Sequence, residues 1–499
     1  MQQVYCSQQI RAWEQRWFAQ GNSALGLMQQ VAWLMTQHIH SVLKNSQSRI
    51  AVWCGHGNNA GDGFYVAHYL YQYGYQVDIF KISDPVSMQS SPSLSNLASQ
   101  AQQICEQSQI AIFSELTTIG LYHYDCYIDA LFGLGLDRNL NDFWQQVIQK
   151  FNQQAGFKIS LDIPSGLHPD TGCPLPVAIQ ADLTLSVLGL KAGLFTGRGK
   201  QFSGKVHLIS AIPTDEKLVS VAQLSPRDVV LPKRQAFGHK GNYGHVLIVG
   251  GHANMGGAAI MAGEAALATG AAKVTLICDV RHHSAALARS PNMMLRDLNQ
   301  LTAQDISQLL QQADVVALGM GLGRDDWAQR IYELWMEEIL KAADIHVVLD
   351  ADALWFLSQT SQRFSQNIYL TPHSGEAARL LGISTQEIEA DRMAAIHHLQ
   401  HQYGGEWVLK GAGSLILQNK LWICTQGNAG MATGGMGDVL SGMIAGLKAQ
   451  FNEQIQLHQI VALHAQAGDI LAKHGMRGIQ AQHMPDAIYQ LMNTEDVQT

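Results

Sequence analysis

The chain of 499 residues contains two glycine-rich segments that carry acidic or amide side chains. The first, GHGNNAGDG at residues 55–63, follows an apolar run at residues 50–54. Glycines after a buried strand let the backbone approach a ligand closely, and the N-terminus of a following helix favours a phosphate group. Asn58 and Asn59 add amide groups, and Asp62 adds a carboxylate. We interpret the segment as a ligand-binding turn; the alternative is a strand-to-helix turn with a purely structural role.

Two other predicted strands end in similar polar clusters. The segment CYIDALFGLGLDR places Asp129 at a strand end, and KISLDIPSG places Asp162 at another, followed by Ser165. Ligands of open α/β sheets bind at the carboxyl ends of the strands, so we expect these groups to converge on the first segment. Taken singly, each Asp is equally well explained as a helix cap. Together the three clusters supply oxygen ligands without Cys or His, which suits a hard cation.

The second glycine-rich segment, NAGMATGGMGDVLSG at residues 428–442, predicts a phosphoryl-transfer site. Gly434, Gly435 and Gly437 would expose backbone N–H groups at the start of a helix, where they could hold a transferring phosphoryl group. We expect this helix to begin at Asp438, whose carboxylate could take a proton from a hydroxyl group. The alternative is that Asp438 only caps the helix.

Three more strand ends in the second half carry candidate binding groups. KGAGS, at residues 410–414, forms a loop that could cradle a nucleotide. TPHSGE places His373 and Glu376 just past one strand, and ALGMGLGR places Gly321 past another. A lone histidine more often has a structural role. At the carboxyl end of a strand, a functional role for a residue such as His373 is about as common as a structural one.

Short apolar runs alternate with helical stretches in both halves, which predicts parallel sheets with helices on both faces. After a helical region over residues 1–45, the runs of the first half lie at residues 50–54, 76–80, 110–113, 126–132, 158–163, 182–189 and 206–209. Those of the second half lie at residues 245–251, 273–278, 314–319, 345–352, 368–372, 406–413, 414–417 and 421–425. Residues 212–242 interrupt the alternation, as an interdomain linker does. The sequence therefore predicts an α/β protein with two domains, at residues 1–215 and 241–499, and a linker at 216–240. The polar segment 84–96 predicts a mobile surface loop.

The overall composition excludes several classes of protein. The net charge of −8 argues against nucleic acid as a main partner, because nucleic-acid binding leaves a basic footprint. The sequence has no run of about 18 apolar residues that would predict a membrane span, and its start lacks the apolar core of a signal peptide. Seven scattered cysteines without a CxxC motif favour reduced thiols in the cytoplasm over a structural zinc site.

The first-half motifs NNAGDG, DALFGLG and DIPSG resemble the epimerase domain of the NAD(P)H-hydrate repair enzymes. The resemblance implies a Rossmann-like three-layer α/β/α domain that binds a hydrated dinucleotide. It implies substrate contacts at Asn58, Asn59, Ala60, Gly61, Asp62, Gly133, Leu134, Gly135, Leu136, Asp137 and Arg138. It also implies a potassium ion held by Asn59, Asp129 and Ser165, with Asp162 as a substrate-binding and catalytic residue. Ala60 stands where the family usually has glycine, which costs little unless that position needs a positive φ.

The second-half motifs TPHSGE, KGAGS and GGMGDVLSG resemble the ribokinase-like dehydratase domain of the same repair system. The resemblance implies that Asp438 binds the hydrate and is catalytic, and that further hydrate contacts come from Ala258, Gly321 and His373. It implies adenine-nucleotide contacts at Lys410, Gly411, Ala412, Gly413, Ser414 and Gly437. ADP is then the co-substrate, and Mg²⁺ is expected because phosphoryl transfer needs charge neutralisation. Met436 replaces a common Thr and Ala429 a common Pro, and neither change removes a catalytic group.

The two resemblances cover nearly the whole chain and imply repair of NADH or NADPH that has added water at C6 of the nicotinamide ring. The first domain would interconvert the R and S hydrates, and the second would dehydrate the S form while converting ADP to AMP and phosphate. The expected partners are the hydrates and ADP, without nucleic acid or membrane; the oligomeric state, including a homo-oligomer, is left open.

Two other functions are considered. A kinase for a small alcohol would suit the second half alone, because a fold does not determine a function, but it would have no use for NNAGDG and DIPSG. A binding or scaffolding module would suit the first half, but it would have no reason to keep Asn59, Asp129, Asp162 and Ser165 together.

Overall fold

The computed structural model of the protein describes residues 2–84, 95–114, 122–342 and 344–493, so most of the predicted loop at 84–96 lies outside the described residues. The chain divides into two compact units, Gln2–Gln223 and Leu224–Thr499. The division falls within residues 216–240, where strand and helix patterns cease to alternate in the sequence.

The N-terminal unit consists of helices packed on a parallel sheet. Its helices are α1 (Ser7–Ala19), α2 (Ala24–Leu43), α3 (Asn58–Gln72), α4 (Asn96–Gln107), α5 (Asp142–Asn152) and α6 (Gly199–Ser203). Its strands are β1 (Gln3–Tyr5), β2 (Arg49–Cys54), β3 (Gln76–Lys81), β4 (Ala111–Phe113), β5 (Cys126–Ala130), β6 (Phe157–Leu161), β7 (Leu183–Val187), β8 (Leu190–Lys191) and β9 (Lys205–Ile209), with β10 (Ala222–Leu224) at the end. The main sheet has the order β4-β3-β2-β5-β6-β7-β9, and all of its neighbouring strands run parallel.

Strand β2 shows why the predicted runs are continuously apolar. Ile50 and Val52 belong to the apolar cluster that contains α2 and α3, whereas Ala51 and Trp53 belong to the cluster that contains Phe151 of α5. Successive side chains of a strand point to opposite faces, so both faces of this sheet are covered by helices. This three-layer arrangement confirms the α/β fold predicted for the first half.

The strand order reverses beside β2, since β3 and β4 lie on one side of it and β5 lies on the other. Ligands of open α/β sheets bind at such a reversal, outside the carboxyl ends of the strands. A Cβ atom on Gly55, which follows β2, would lie 2.2 Å from the carbonyl oxygen of Leu131, which follows β5. This close approach requires glycine and joins two strand ends that carry predicted site residues.

The predicted helical region over residues 1–45 is two helices instead of one. Gly21, with a φ of +89°, ends the path of α1, and Ser23 caps α2 by accepting a hydrogen bond from Gly26 N. The chain can therefore change direction between α1 and α2.

The C-terminal unit is a second α/β structure. Its helices are α7 (Gly256–Ala268), α8 (His283–Arg289), α9 (Ala303–Gln311), α10 (Asp326–Lys341), α11 (Asp352–Leu357), α12 (Ser374–Leu381), α13 (Thr385–Ala390), α14 (Arg392–Tyr403), α15 (Met436–Phe451), α16 (Leu457–Leu471) and α17 (Met484–Met492). Its strands are β11 (His245–Val249), β12 (Lys273–Cys278), β13 (Met294–Asp297), β14 (Val315–Leu318), β15 (His346–Leu349), β16 (Phe364–Leu370), β17 (Gly404–Leu409), β18 (Ser414–Leu417) and β19 (Leu421–Cys424). They follow the order β13-β12-β11-β14-β15-β16-β17-β18-β19, parallel up to β17 and antiparallel beyond it.

Helix α15, which begins in the second glycine-rich segment, lies very close to α7. A Cβ atom on Gly442 would lie 2.1 Å from Ala262 O, and one on Gly446 would lie 2.2 Å from Thr269 Oγ1. The small residues of GDVLSGMIAGL therefore let the two helices approach each other, which holds the start of α15 in place. Within the described residues, no helix combines the length and the apolar composition needed to cross a bilayer.

Candidate functional site

The first glycine-rich segment forms the turn between β2 and α3. Helix α3 begins at Asn58, so its first turn comprises the predicted substrate residues Asn58, Asn59, Ala60, Gly61 and Asp62. Ala60 is helical and has no positive φ, so alanine in place of glycine introduces no backbone strain. The first turn of a helix offers backbone N–H groups that have no partner within the helix, which suits a phosphate group.

Asp129 of β5 is fully buried and accepts four hydrogen bonds. Ser165 donates its backbone N–H (2.9 Å) and its hydroxyl (2.6 Å), Ser160 donates its hydroxyl (2.8 Å) and Leu131 its backbone N–H (3.2 Å). Burial raises the pKa of Asp129 to about 6, against the opposing effect of the hydrogen bonds from Ser165 and Ser160. Two of the three predicted cation ligands, Asp129 and Ser165, are thus in direct contact.

Asn59, the third predicted cation ligand, lies beside this pair. Its Nδ2 donates to Phe132 O (2.8 Å), and Phe132 N donates to Ser165 Oγ (2.8 Å). The Oδ1 atom of Asn59 is buried and has no hydrogen-bond partner in the described part of the chain. A buried oxygen without a partner is unfavourable unless another group compensates it. Its position next to other oxygen atoms fits a cation that prefers oxygen ligands.

Asp162, directly after β6, takes a left-handed backbone conformation with a φ of +68°. Its Oδ1 accepts hydrogen bonds from Lys191 Nζ (2.5 Å) and Val187 N (3.1 Å). Lys191 is fully buried, and its ammonium also donates to Val187 O (2.7 Å) and Ser186 Oγ (3.3 Å). Strain of this kind persists where the surroundings hold it and is frequent at functional sites. Lys191 was not predicted, because a single lysine in GLKAGL carries no signal.

Gly133, the first residue of the loop at residues 133–138, lies beside Asn59 and Asp162. A Cβ atom on Gly133 would lie 3.3 Å from Asn59 Cβ and 3.6 Å from Asp162 Oδ2. The loop therefore adjoins both the predicted cation ligands and the predicted catalytic carboxylate. Among the described residues, no side-chain hydrogen bond joins Asp162 to the rest of the loop, which comprises Leu134, Gly135, Leu136, Asp137 and Arg138.

Asp62 adds a third carboxylate to what we name the first site, the group of Asn59, Asp129, Asp162 and their neighbours. Burial raises the pKa of Asp62 well above its usual range, and the negative charges of Asp162 and Glu14 raise it further. Glu14 lies on α1 and was not predicted as a site residue.

The second site is built around Asp350, which follows β15. Lys410 Nζ donates to its Oδ1 (2.8 Å), and Ser441 Oγ donates to its Oδ2 (2.8 Å). Glu376 Oε2 lies 3.8 Å from Lys410 Nζ. Burial disfavours the charge of Lys410, but the carboxylates of Asp350 and Glu376 outweigh burial and raise its pKa. Asp350 and Ser441 were not predicted as site residues, although Asp350 lies within the predicted run at residues 345–352.

Asp438 is the predicted base of the second site. Helix α15 begins at Met436 with Gly435 (φ +92°) as its N-cap, so the expectation that it begins at Asp438 is wrong. Asp438 is the third helical residue, and the alternative interpretation of it as the helix cap is wrong as well. Burial raises the pKa of Asp438 to about 7, the charges of Asp350 and Asp352 add to the rise, and Lys410 opposes it. A carboxyl group with such a pKa exchanges protons readily with a substrate hydroxyl near neutral pH.

Gly437 links the glycine-rich segment to the predicted nucleotide loop. A Cβ atom on Gly437 would lie 3.2 Å from Lys410 Nζ and 3.6 Å from Asp350 Oδ2. Lys410 begins the loop, and Ser414 Oγ closes it by donating to Gly411 O (3.0 Å). The remaining predicted contacts, Ala412 and Gly413, lie on this turn.

Arg392 supports the nucleotide loop and was not predicted from the sequence. Its side chain is buried, and its Nη2 donates to Leu409 O and Lys410 O, each at 3.1 Å. Its Nη1 donates to Glu389 Oε1 (2.6 Å) and Ser374 Oγ (3.0 Å). A planar guanidinium thus fixes the backbone where the loop leaves β17.

His373 has a structural role as the N-cap of α12 and also lies next to residues of the second site. It caps α12, since its Nδ1 accepts hydrogen bonds from Gly375 N (2.9 Å) and Glu376 N (3.3 Å). Its Nε2 lies 3.6 Å from Glu376 Oε1, and Lys410 N donates to Pro372 O (2.9 Å).

Gly321 and Ala258 meet where the strand order of the second sheet reverses, between β11 and β14. A Cβ atom on Gly321 (φ +63°) would lie 2.4 Å from Met255 O and 3.3 Å from Ala258 Cβ. The two predicted hydrate contacts are therefore neighbours.

Two protein families match the chain. Residues 246–490 match the sequence model of the family described as NAD(P)H-hydrate dehydratase. Residues 24–193 match that of the family described as YjeF-related protein N-terminus.

Curated relatives extend over both units. The chain is 36% identical to the bifunctional NAD(P)H-hydrate repair enzyme Nnr of Coxiella burnetii, over 87% of this chain and 88% of that protein. It is 35% identical to the Vibrio cholerae protein of the same name, over 87% of this chain and 86% of that protein. For the Escherichia coli protein of that name, the identity is 34%, over 89% of this chain and 85% of that protein.

A solved structure supports the fold of the second half. The ribokinase-like superfamily protein from Enterococcus faecalis is 30% identical and aligns with 56% of this chain and 99% of its own, with a TM-score of 0.51. The family matches and the near full-length relatives cover both units, and this chain belongs to the family of bifunctional NAD(P)H-hydrate repair enzymes.

Proposed function

We propose that this chain repairs hydrated NADH and NADPH in two reactions, with the epimerase in residues 1–215, the dehydratase in residues 241–499 and a linker at 216–240. The observation that carries the proposal is that each unit holds its predicted catalytic carboxylate beside a lysine, among charged groups at the carboxyl ends of the strands. Such placement is typical of catalytic acids and bases. We assign the reaction to the cytoplasm, because seven scattered cysteines without a CxxC motif suit a reducing compartment.

In the first site, Asp162 would handle the proton at the C6 hydroxyl of the hydrate. When that hydroxyl accepts a proton, its bond to C6 breaks, water leaves and the ring nitrogen lone pair forms a C6=N1 double bond. Return of water to the other face, with loss of a proton, gives the opposite epimer. Lys191 holds Oδ1 of Asp162, which leaves Oδ2 directed towards Gly133 in the substrate loop. Lys191 is thus a positioning residue for this carboxylate.

A potassium ion fits the first site next to Asn59. The buried Oδ1 of Asn59 lacks a partner in the described part of the chain, and Ser165 Oγ belongs to the same cluster. Asn59 and Ser165 would hold the ion together with Asp129, which at present accepts four hydrogen bonds. The ion would supply a fixed positive charge that orients the substrate loop and the hydrate.

In the second site, Asp438 would act on the 6-hydroxyl of the S hydrate. It takes the hydroxyl proton while the oxygen attacks the terminal phosphoryl group of ADP, and AMP departs. Phosphate then leaves C6 together with a proton from C5, which restores the dihydronicotinamide double bond. The amides of Gly434, Gly435 and Gly437 would stabilise charge on the transferred group.

The nucleotide would lie against Lys410 and the loop that Arg392 supports. Mg²⁺ would be held mainly by the nucleotide phosphates, whose charge it would neutralise. The remaining hydrate contacts would come from Ala258, Gly321 and His373.

The test is recovery of the near-ultraviolet absorbance of reduced nicotinamide after the full chain, ADP and Mg²⁺ are added to a mixture of R and S NADPH hydrates. Full recovery is expected. Recovery of the S fraction alone, within a time too short for spontaneous epimerisation, would contradict the epimerase. A stable phosphorylated alcohol as product, in a screen without repair activity, would replace the proposal by the small-alcohol kinase.

A further inference from the structure

The loop that follows β14, at residues 319–324, carries the proposed hydrate contact Gly321 and ends at Arg324. The segment after β11 holds one side of this loop, since His252 N donates to Gly321 O (2.7 Å). Gly321 also adjoins Ala258, the other proposed hydrate contact in this region. The loop therefore borders the place that we assign to the hydrate, and Arg324 stands at its end.

Asp352, the first residue of α11, holds the end of the loop. Its side chain is buried, its Oδ1 accepts a hydrogen bond from Arg324 Nε (2.7 Å), and its Oδ2 accepts one from Gly323 N (2.8 Å). The Cζ atom of Arg324 lies over the ring of Trp355, 5.8 Å from its centre, where the ring attracts a cation. The guanidinium of Arg324 is thus fixed by a carboxylate and an aromatic ring of the same helix.

The ion pair of Arg324 leaves most of its hydrogen-bonding groups unused. Elsewhere in the C-terminal unit, Arg289 donates to both oxygens of Glu264, through Nε (2.8 Å) and Nη2 (2.7 Å). Arg324 uses Nε alone, because the second oxygen of Asp352 accepts from Gly323. In the part of the chain that the structure describes, neither Nη1 nor Nη2 of Arg324 donates a hydrogen bond, and its side chain is 49% exposed. These two groups are available to a ligand.

The positive charge of Arg324 also acts on the second site. Burial lowers the pKa of His373, and the charges of Lys410 and Arg324 lower it further. Burial raises the pKa of Glu376 to about 7, and the same two cations oppose this rise. A hydrate that contacts His373 and the loop after β14 would therefore lie in the field of Arg324.

The chemistry of a guanidinium indicates which part of the hydrate it would bind. Its planar fork of N–H groups matches the oxygens of a phosphate group. The hydrated nicotinamide ring, its amide and the two riboses carry no charge, so the phosphates are the anionic groups of the hydrate. Both hydrates contain a pyrophosphate, and the NADPH form adds a 2′-phosphate on the adenosine ribose.

We propose that Arg324 is a substrate-binding residue of the second site, which binds a phosphate group of the hydrate while Asp352 holds its guanidinium in place. The inference rests on the proposed dehydratase function and adds a recognition residue to that site. The phosphate is either the pyrophosphate, common to both hydrates, or the 2′-phosphate, which only the NADPH hydrate has.

The experiment compares the full chain with Arg324→Gln and Arg324→Lys in dehydration of the pure S hydrates of NADH and NADPH. Initial rates at saturating ADP and Mg²⁺ give kcat and KM for each hydrate, and KM for ADP is measured at saturating hydrate. Arg330→Gln is the matched control, because it removes the same charge from an exposed position on α10. Thermal unfolding reports the fold of each variant.

We expect Arg324→Gln to raise KM for the hydrate by about tenfold or more with little change in kcat, because the lost contact binds the ground state and the transition state alike. A rise for both hydrates identifies the pyrophosphate as the ligand, and a rise for the NADPH hydrate alone identifies the 2′-phosphate. Arg324→Lys keeps the charge but loses the fork, and should raise the same KM by about threefold. KM for ADP should stay constant, and Arg330→Gln should match the wild type.

Unchanged KM for both hydrates in Arg324→Gln overturns the inference. A rise in KM for ADP with constant KM for the hydrates overturns it as well, since Arg324 would then serve the nucleotide. A lower kcat and unfolding temperature at constant KM would reduce the ion pair to a support of the loop. If Arg324→Gln does not fold, the same comparisons with Arg324→Lys decide. A wild-type chain that dehydrates neither S hydrate rejects the proposed function itself, and the inference with it.

Discussion

The two sites each contain a buried aspartate–lysine pair at the carboxyl end of a strand, but they use it differently. Asp162 and Lys191 are 2.5 Å apart in the first site, and Asp350 and Lys410 are 2.8 Å apart in the second. Left-handed backbone occurs at both places, at Asp162 (φ +68°) and at Ala351 (φ +51°), next to Asp350.

The difference lies in which carboxylate is the proposed catalytic group. In the first site the paired aspartate, Asp162, is itself the predicted catalytic group, and Lys191 donates a hydrogen bond to it. In the second site the pair serves as a support, and a separate carboxyl group, Asp438, has a pKa of about 7 beside it. There the charges of the pair act on Asp438 from outside, with Asp350 raising its pKa and Lys410 lowering it.

The largest expected effect follows from replacing the dedicated base. Asp438→Asn should lower the rate of S-hydrate dehydration by about a hundredfold or more, because the variant lacks the carboxylate that would take the hydroxyl proton. AMP release from ADP in the presence of pure S hydrate measures this. Epimerisation of the R hydrate by the same variant serves as the control and should be unchanged. Normal AMP release would remove Asp438 from the mechanism.

Replacing the paired aspartate of the first site should affect two properties at once. Asp162→Asn should abolish epimerisation and also lower the free energy of unfolding by about 3–5 kcal/mol, because Lys191 is left buried without its counter-ion. Adding Lys191→Met to this variant should restore most of the stability but none of the epimerisation. Chemical denaturation measures the free energy of unfolding, and turnover of the R hydrate measures epimerisation. Recovered activity in the double variant would contradict a chemical role for Asp162.

The parts of the sites that were predictable from the sequence are those formed by local segments. The turn at residues 55–63 and the acidic strand ends at Asp129 and Asp162 are each encoded by a few adjacent residues. The strands that form the sheets were also predictable, because burial on both faces makes their runs continuously apolar. The short strands β1, β8 and β10, of two or three residues, and the four-residue strand β13 were missed for lack of such a run.

The missed residues depend on contacts between distant parts of the chain. Lys191 lies 29 positions from Asp162, and Ser441 lies 91 positions from Asp350, so no local pattern links them. The start of α15 was misplaced for a different reason. Its N-cap is Gly435, and glycine has no side chain that would mark a cap in the sequence.

The pH dependence of dehydration should report the protonation state of Asp438. Because Asp438 must be deprotonated to act as a base, dehydration should be fast above a pH of about 7 and slow down as the pH falls below it. Lys410→Gln should move this limit to higher pH, because the positive charge that lowers the pKa of Asp438 is removed. Rates at saturating ADP over a pH series measure the shift, and saturation removes any effect on nucleotide binding. An unchanged limit would show that the supporting pair does not tune the base.

The smallest expected effect concerns the loop that presents Lys410. Arg392→Lys keeps the charge beside Glu389 but loses the planar fork that binds Leu409 O and Lys410 O at the same time. The loop should then be held less firmly, which raises KM for ADP by about threefold to tenfold and leaves the pH limit set by Asp438 in place. Initial rates against ADP concentration, at saturating S hydrate, measure the change. If kcat falls and KM stays constant, Arg392 acts on the Asp350–Lys410 pair instead of on the loop, and the support in the second site extends further from the base than the hydrogen bonds indicate.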